Sequence, residues 1–201
     1  MAEKRVILDS DFLQGILDKT DVDFLKQFMH ELDAEPCLCW YVAKSELFSH
    51  KEAQRLMSSG DIKVINPEDF LKSDDDKMLF ENNVKQMFED INSRDITWKK
   101  SIYDEDFHLS ALNLGEIISE LMAKEMKLPL FASNDKGSKK YAKMINSAKY
   151  RLEVRNVAEL IEMVGKNGSS LKWTDIKHVL GEERWKQDLM RIRPLWVKDN
   201  S

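Results

Sequence analysis

Hydrophobic and polar positions along this chain switch repeatedly between a strand-like and a helix-like period. Val6-Ile7-Leu8 is a short β-branched apolar run that stops at Asp9-Ser10-Asp11. That is the pattern of a buried strand with acids at its carboxyl end. Phe12, Leu13, Ile16 and Leu17 then recur at helical spacing, and a second helical segment runs from Asp21 to about Leu32. Pro36 punctuates the chain. Residues 37–42 read as another strand, residues 43–57 as a helix, and residues 62–67 as a third short strand that stops at Pro67.

The stretch 68–106 is acidic, densest at Asp74-Asp75-Asp76, yet Phe80, Val84, Met87, Phe88 and Ile91 fit one helix face. It reads as a solvated, partly helical insertion; the Gly and spaced acids of a calcium loop are missing. Residues 112–127 are strongly helical through Leu114, Ile117, Ile118, Leu121, Met122 and Met126. Leu130-Phe131-Ala132 follows as a strand stopping at Ser133-Asn134-Asp135. A basic helix over 136–148, a last core strand at 152–154, and a helix capped by Asn156 and stopped by Gly165 complete the pattern.

This alternation predicts an α/β fold, a three-layer α/β/α sandwich with a mainly parallel central sheet. Residues 1–165 form that domain, with the acidic insertion at about 68–106. Residues 166–201 form a C-terminal helical extension carrying Trp173, Trp185 and Trp196 behind a linker-like Gly168-Ser169-Ser170.

Composition narrows the class. A chain of 201 residues with 42% hydrophobic residues is long and apolar enough for a buried core, which excludes wholesale disorder. Its net charge of −5 argues against coating nucleic acid through bulk positive charge. Cys37 and Cys39 make neither a disulfide framework nor a good zinc site, and they alternate on a predicted strand, where packing is the expected role. No run of 18 apolar residues suits a membrane span, and the first apolar run is too short for a signal peptide. A reducing, cytoplasmic setting without a membrane is expected.

Function in a parallel sheet gathers at the carboxyl ends of strands. Asp9 and Asp11 stand at one such end and Asp135 at another, while Glu46 and Glu116 lie on helices that can reach the same rim. Clustered carboxylates repel, and a hard divalent cation is the natural occupant. Each acid also has an ordinary structural role: Asp9 and Asp135 are good helix caps, and Glu46 and Glu116 can face solvent. Beyond Asp135, Lys136, Lys139 or Lys140, and Lys143 share a helix face suited to a phosphate backbone or simply to solvent. Tyr141 can stack on a base, with burial the competing role. His30, His50, His108 and His178 are scattered, and seven glycines leave little room for a phosphate loop.

Over roughly residues 4–163 these motifs resemble the PIN-domain ribonucleases. The opening Val6-Ile7-Leu8-Asp9-Ser10-Asp11-Phe12-Leu13 is similar to the family's strand–Asp–helix start. Leu114-Gly115-Glu116-Ile117 and the helix to Met126 look like its Gly-Glu branch, which includes toxin-type members. Leu130-Phe131-Ala132-Ser133-Asn134-Asp135 resembles its apolar strand ending in Ser/Thr-x-Asp.

The resemblance implies a metal-dependent endoribonuclease with Asp9, Glu46, Glu116 and Asp135 as catalytic acids. Mg²⁺ or Mn²⁺ would be held by Asp9, Asp11, Glu116 and Asp135, and RNA by Ser133, Lys136, Lys139, Lys140 and Lys143. RNA is the implied substrate, an antitoxin or other protein the implied partner, and a homo-oligomer a further form. Asp11 stands where the family often has Asn, Glu52 and Glu31 compete with Glu46 for its place, and the insertion and tail exceed a minimal PIN domain. Alternatives are a catalytically silent PIN-like module that binds RNA or protein, and a related DNA nuclease. Deleting residues 166–201 is expected to spare metal binding and alter association or solubility.

Overall fold

The computed structural model describes residues 4–93, 98–104, 107 and 113–197. Residues 1–3, His108, Leu112 and the parts of the acidic stretch at 94–97 and 105–106 therefore lie outside the described residues. The chain is α/β, with five parallel strands: β1 (Lys4–Leu8), β2 (Ala34–Cys39), β3 (Lys63–Ile65), β4 (Leu130–Ala132) and β5 (Glu153–Arg155). Their order across the sheet is β3-β2-β1-β4-β5, which puts β1 at the centre. Val6, Ile7 and Leu8 are fully buried because helices cover both faces, and such a strand reads as a continuous apolar run.

On one face, α1 (Ser10–Leu17), α2 (Val22–Glu31), α4 (Lys51–Ser59) and α9 (Val157–Lys166) pack together. On the other lie α3 (Trp40–Ser45), α6 (Asp74–Asn92), α7 (Leu114–Glu125) and α8 (Ser138–Ile145), with the short α5 (Pro67–Phe70) beside them. This is the sandwich expected. The caps agree with the sequence: Asp21 accepts from Phe24 N at 2.8 Å, and Asn156 forms a capping box with Glu159.

The acidic stretch contributes α6, whose Phe80, Val84, Met87 and Phe88 are buried. Trp40 packs against Phe70, Phe80 and Tyr103 there, and Phe88 and Phe107 flank Trp98. Ser73 caps the helix, and Asp74, Asp75 and Asp76 occupy its first turn, where negative charge suits the helix dipole.

Several local expectations differ from the structure. Residues 40–42 are helical, because β3 ends at Ile65 opposite Cys39 and leaves no strand for Trp40 to pair with. The helix expected over 43–57 is two helices, the second capped by His50, whose Nδ1 accepts from Ala53 N at 3.2 Å. Pro36 lies inside β2 opposite Val6, just before β3 pairing starts at Cys37, so β2 has only β1 as a neighbour there.

Gly165 does not stop α9, which continues to Lys166 with Asn167 at its cap. It is instead a seat for Trp196: a Cβ at Gly165 would collide with that ring. The tail forms α10 (Trp173–Val179) and α11 (Lys186–Trp196), and α11 packs on α9. Trp196 stacks on Trp173 with ring centroids 6.5 Å apart, and its indole donates to Leu171 O at 2.8 Å. Gly165→Ala should gain about 1 kcal/mol of helix propensity and lose about 1–3 kcal/mol to overpacking. A fall in melting temperature of a few degrees, followed by tryptophan fluorescence, is expected; a rise would mean that the ring swings clear.

Candidate metal centre

From β1 the chain steps outward through β2 and β3, and from β4 through β5 in the opposite direction. The carboxyl ends of β1 and β4 therefore flank the point where the strand order reverses, the crevice where open α/β sheets bind ligands. Asp9 leaves β1 with its N–H still donating to Ala132 O of β4 at 2.9 Å. Ser133-Asn134-Asp135 leaves β4 directly opposite.

Hydrogen bonds lock this rim. Asp9 is buried and caps α1: its Oδ1 accepts from Ser10 N at 2.9 Å, and its Oδ2 accepts from Ser133 Oγ at 2.8 Å. Ser133 Oγ lies 3.0 Å from Ser138 Oγ and accepts from Asp135 N at 3.1 Å. Asp135 Oδ1 accepts from Gly137 N at 2.9 Å. Asn134 N donates to Asp11 Oδ1 at 3.3 Å, while its own Oδ1 accepts from Val157 N at 3.0 Å and ties the rim to α9. Glu46, at the end of α3, accepts from Ser10 Oγ, and its carboxylate lies against Gly115 where a Cβ would collide with it. That contact is a physical reason for glycine before Glu116.

The acids feel one another. Burial raises the Asp9 pKa well above the usual carboxylate range, and the charges of Glu116 and Asp11 add to the rise, with Ser133 opposing it. Burial pushes Glu116 up to about 7, with Glu46, Asp135 and Asp11 contributing. Glu46 is raised by burial and by Asp11 against the hydrogen bond from Ser10. Asp9, Asp11, Glu46, Glu116 and Asp135 thus form one electrostatic cluster. Of the competitors for Glu46's place, Glu31 binds Ser169 and Ser170 of the tail and Glu52 faces Arg55.

The phosphate side is less uniform. Lys136 precedes α8, in a turn, and Lys136, Lys140 and Lys143 are exposed without an ion-pair partner among the described residues. Lys139 is paired to Glu159 at 2.6 Å. Ser133 is buried and turned to Asp9 rather than to solvent, so it holds a carboxylate instead of meeting RNA. Tyr141 is also buried, its hydroxyl over Gly137, which leaves no face for a base. Burial pushes the Cys37 and Cys39 thiols up to about 12, and neither is a nucleophile at neutral pH.

The periodicity did not single out Glu120, which is fully buried one turn beyond Glu116. Its signal was available: an acid four residues after Glu116, flanked by Ile117, Ile118, Leu121 and Met122.

The donor set is entirely carboxylate oxygen, which suits Mg²⁺ or Mn²⁺ over softer ions. Among the described residues no three His, Cys, Asp or Glu side chains are already arranged to hold a metal ion. Asp9, Glu46 and Asp135 each direct an oxygen to a protein donor in this arrangement. The crowding of charge nevertheless leaves the cluster in need of a cation or of protons.

That need sets a pH dependence. Glu116 binds its proton more tightly folded than unfolded, so its stabilising effect is complete below its ordinary value of 4.5 and is lost as pH rises through about 7. The loss is on the order of 3 kcal/mol at one site. Urea midpoints of the metal-free chain should fall from pH 5 to pH 8, and the fall should be smaller in Glu116→Gln, with the raised acids Asp9 and Glu120 keeping the remainder; parallel profiles would contradict it.

No protein-family model, curated protein or solved structure matches the chain. No helix among the described residues is long and apolar enough to cross a membrane.

Proposed function

We infer that this chain is a metal-dependent ribonuclease of PIN type, hydrolysing RNA phosphodiester bonds at the acidic rim. The observation that carries the reading is the meeting of Asp9, Glu46, Glu116 and Asp135 at the reversal point of a parallel sheet, beside an exposed lysine turn. A bound Mg²⁺ or Mn²⁺ would supply a water of lowered pKa and screen the scissile phosphate.

The chain's own residues divide the remaining work. Asp9 and Asp135 would hold the cation directly, with Glu116 next and Asp11 alongside. Ser133 fixes the Asp9 carboxylate, and Ser10 fixes both Asp9, through its N–H, and Glu46, through its hydroxyl. Glu46 would orient the attacking water, and Lys136, Lys140 and Lys143 would attract the RNA backbone. An antitoxin-type protein would act by covering the same crevice.

The lack of a preformed three-ligand shell among the described residues favours one second reading, a silent module that binds RNA without cutting it. Single-stranded RNA incubated with the full chain separates the two. Cleavage to 5′-phosphate ends with Mn²⁺ and none with EDTA is expected. Salt-sensitive RNA binding without cleavage would establish the silent module, and cleavage indifferent to EDTA would overturn the metal mechanism.

A further inference from the structure

Glu120 stands on α7 one turn beyond Glu116, with no exposed surface, and among the described residues neither of its carboxyl oxygens has a hydrogen-bond partner. A buried polar group without a partner is costly, and in native proteins it points to a water or ion that belongs there. Its surroundings point the same way. Glu116 is the charge acting on Glu120, and the Tyr141 phenol is influenced by Asp135, Glu116 and Glu120 together. The i,i+4 spacing puts Glu116 and Glu120 on the same side of the helix. Glu120 thus shares the helix side of Glu116, one turn further in, and its charge acts on the Tyr141 and Tyr150 phenols.

We propose that Glu120 belongs to the cation centre, as an inner carboxylate that engages a divalent cation from the buried side of Glu116, directly or through one water. The proposal rests on the metal reading above and extends it to a residue that no substrate can touch. In the metal-free chain burial pushes Glu120 up to about 9, so it waits there as a neutral acid. A cation near Glu116 favours the charged form, and binding should release protons.

Mn²⁺ titration of the full chain, by electron paramagnetic resonance of the free ion, tests this. Glu120→Gln keeps the shape of the neutral acid, and Glu120→Met keeps the volume without oxygens. Both should weaken Mn²⁺ binding about 10- to 100-fold and shrink the rise in melting temperature that Mn²⁺ produces. Their metal-free melting temperatures should equal or exceed that of the wild type. If both variants bind Mn²⁺ like the wild type while Asp9→Asn does not, the cation centre stands and Glu120 lies outside it. If the wild type itself binds no Mn²⁺, the metal reading falls and this proposal with it.

Discussion

Asp9→Asn is expected to lower cleavage of single-stranded RNA at least about 10³-fold, roughly 4 kcal/mol of transition-state stabilisation, and to make the metal-free chain more stable. The two effects have one cause. Asp9 is buried between Ser10 N and Ser133 Oγ, with Asp11 and Glu116 close enough to raise its pKa. An asparagine Oδ1 can keep one of those hydrogen bonds, and its neutral amide removes the like-charge repulsion. It also removes the negative charge that a cation needs at the end of β1. Rates with Mn²⁺ and thermal melts at pH 8 should therefore move in opposite senses, with the melting temperature rising roughly 2–4 °C for each kcal/mol relieved. Loss of activity with a lower melting temperature would make Asp9 a structural cap, and unchanged activity would remove it from the reaction.

Ending the chain after Asn167 should abolish cooperative folding or lower the melting temperature by more than about 10 °C. Leu171, Ile176, Val179, Leu180, Trp185 and Ile192 are all buried. At about 1.5–3 kcal/mol each, their gross burial is on the order of 10 kcal/mol. A domain of this kind has a net stability of about 5–15 kcal/mol. The ordering cost of the tail disappears with it, but the α9 surface under Trp196 and α11 is then left to water. Contacts outside the tail go too: Ser169 and Ser170 to Glu31, and Lys19 to Glu182 and to Val179 O at 3.2 Å. This outcome would reverse the expectation that metal binding survives removal of residues 166–201. Circular dichroism melts with gel filtration would check it; a cooperative transition within about 3 °C of the full chain would make the tail an appendage.

Much of the fold was legible because burial on both sheet faces leaves a direct mark. Val6-Ile7-Leu8 and Leu130-Phe131-Ala132 are uniformly apolar and uniformly buried. The rim was legible for a related reason: Asp9, Asp135 and Asn156 are polar residues placed where such runs stop. Pairing partners leave no comparable mark. Trp40 reads as strand because aromatic residues favour strands, yet its conformation depends on where β3 ends, some 25 residues later. Gly165 reads as a helix stop, but its role is set by a tryptophan 31 positions away. Glu120 was hidden because an acid on a helix is ordinarily solvated, and only the packing of α7 against α8 and the sheet shows otherwise. Ser133 reads as a turn residue or as a donor to a carboxylate or phosphate, and the chain around it makes it a clamp on the Asp9 carboxylate.

The central position of β1 has a consequence for biosynthesis. Its pairing with β2 is complete by Cys39, but its other edge meets a partner only at Leu130–Ala132. Asp9 and Asp135 are separated by 126 positions in the chain, which a ribosome working at about 5–20 residues per second takes roughly 6–25 s to span. During that interval the growing chain carries Asp9 and an open strand edge but no rim opposite it. Any hydrolytic capacity therefore arises late in synthesis, and a chain released early, before β4, would be catalytically inert and prone to self-association.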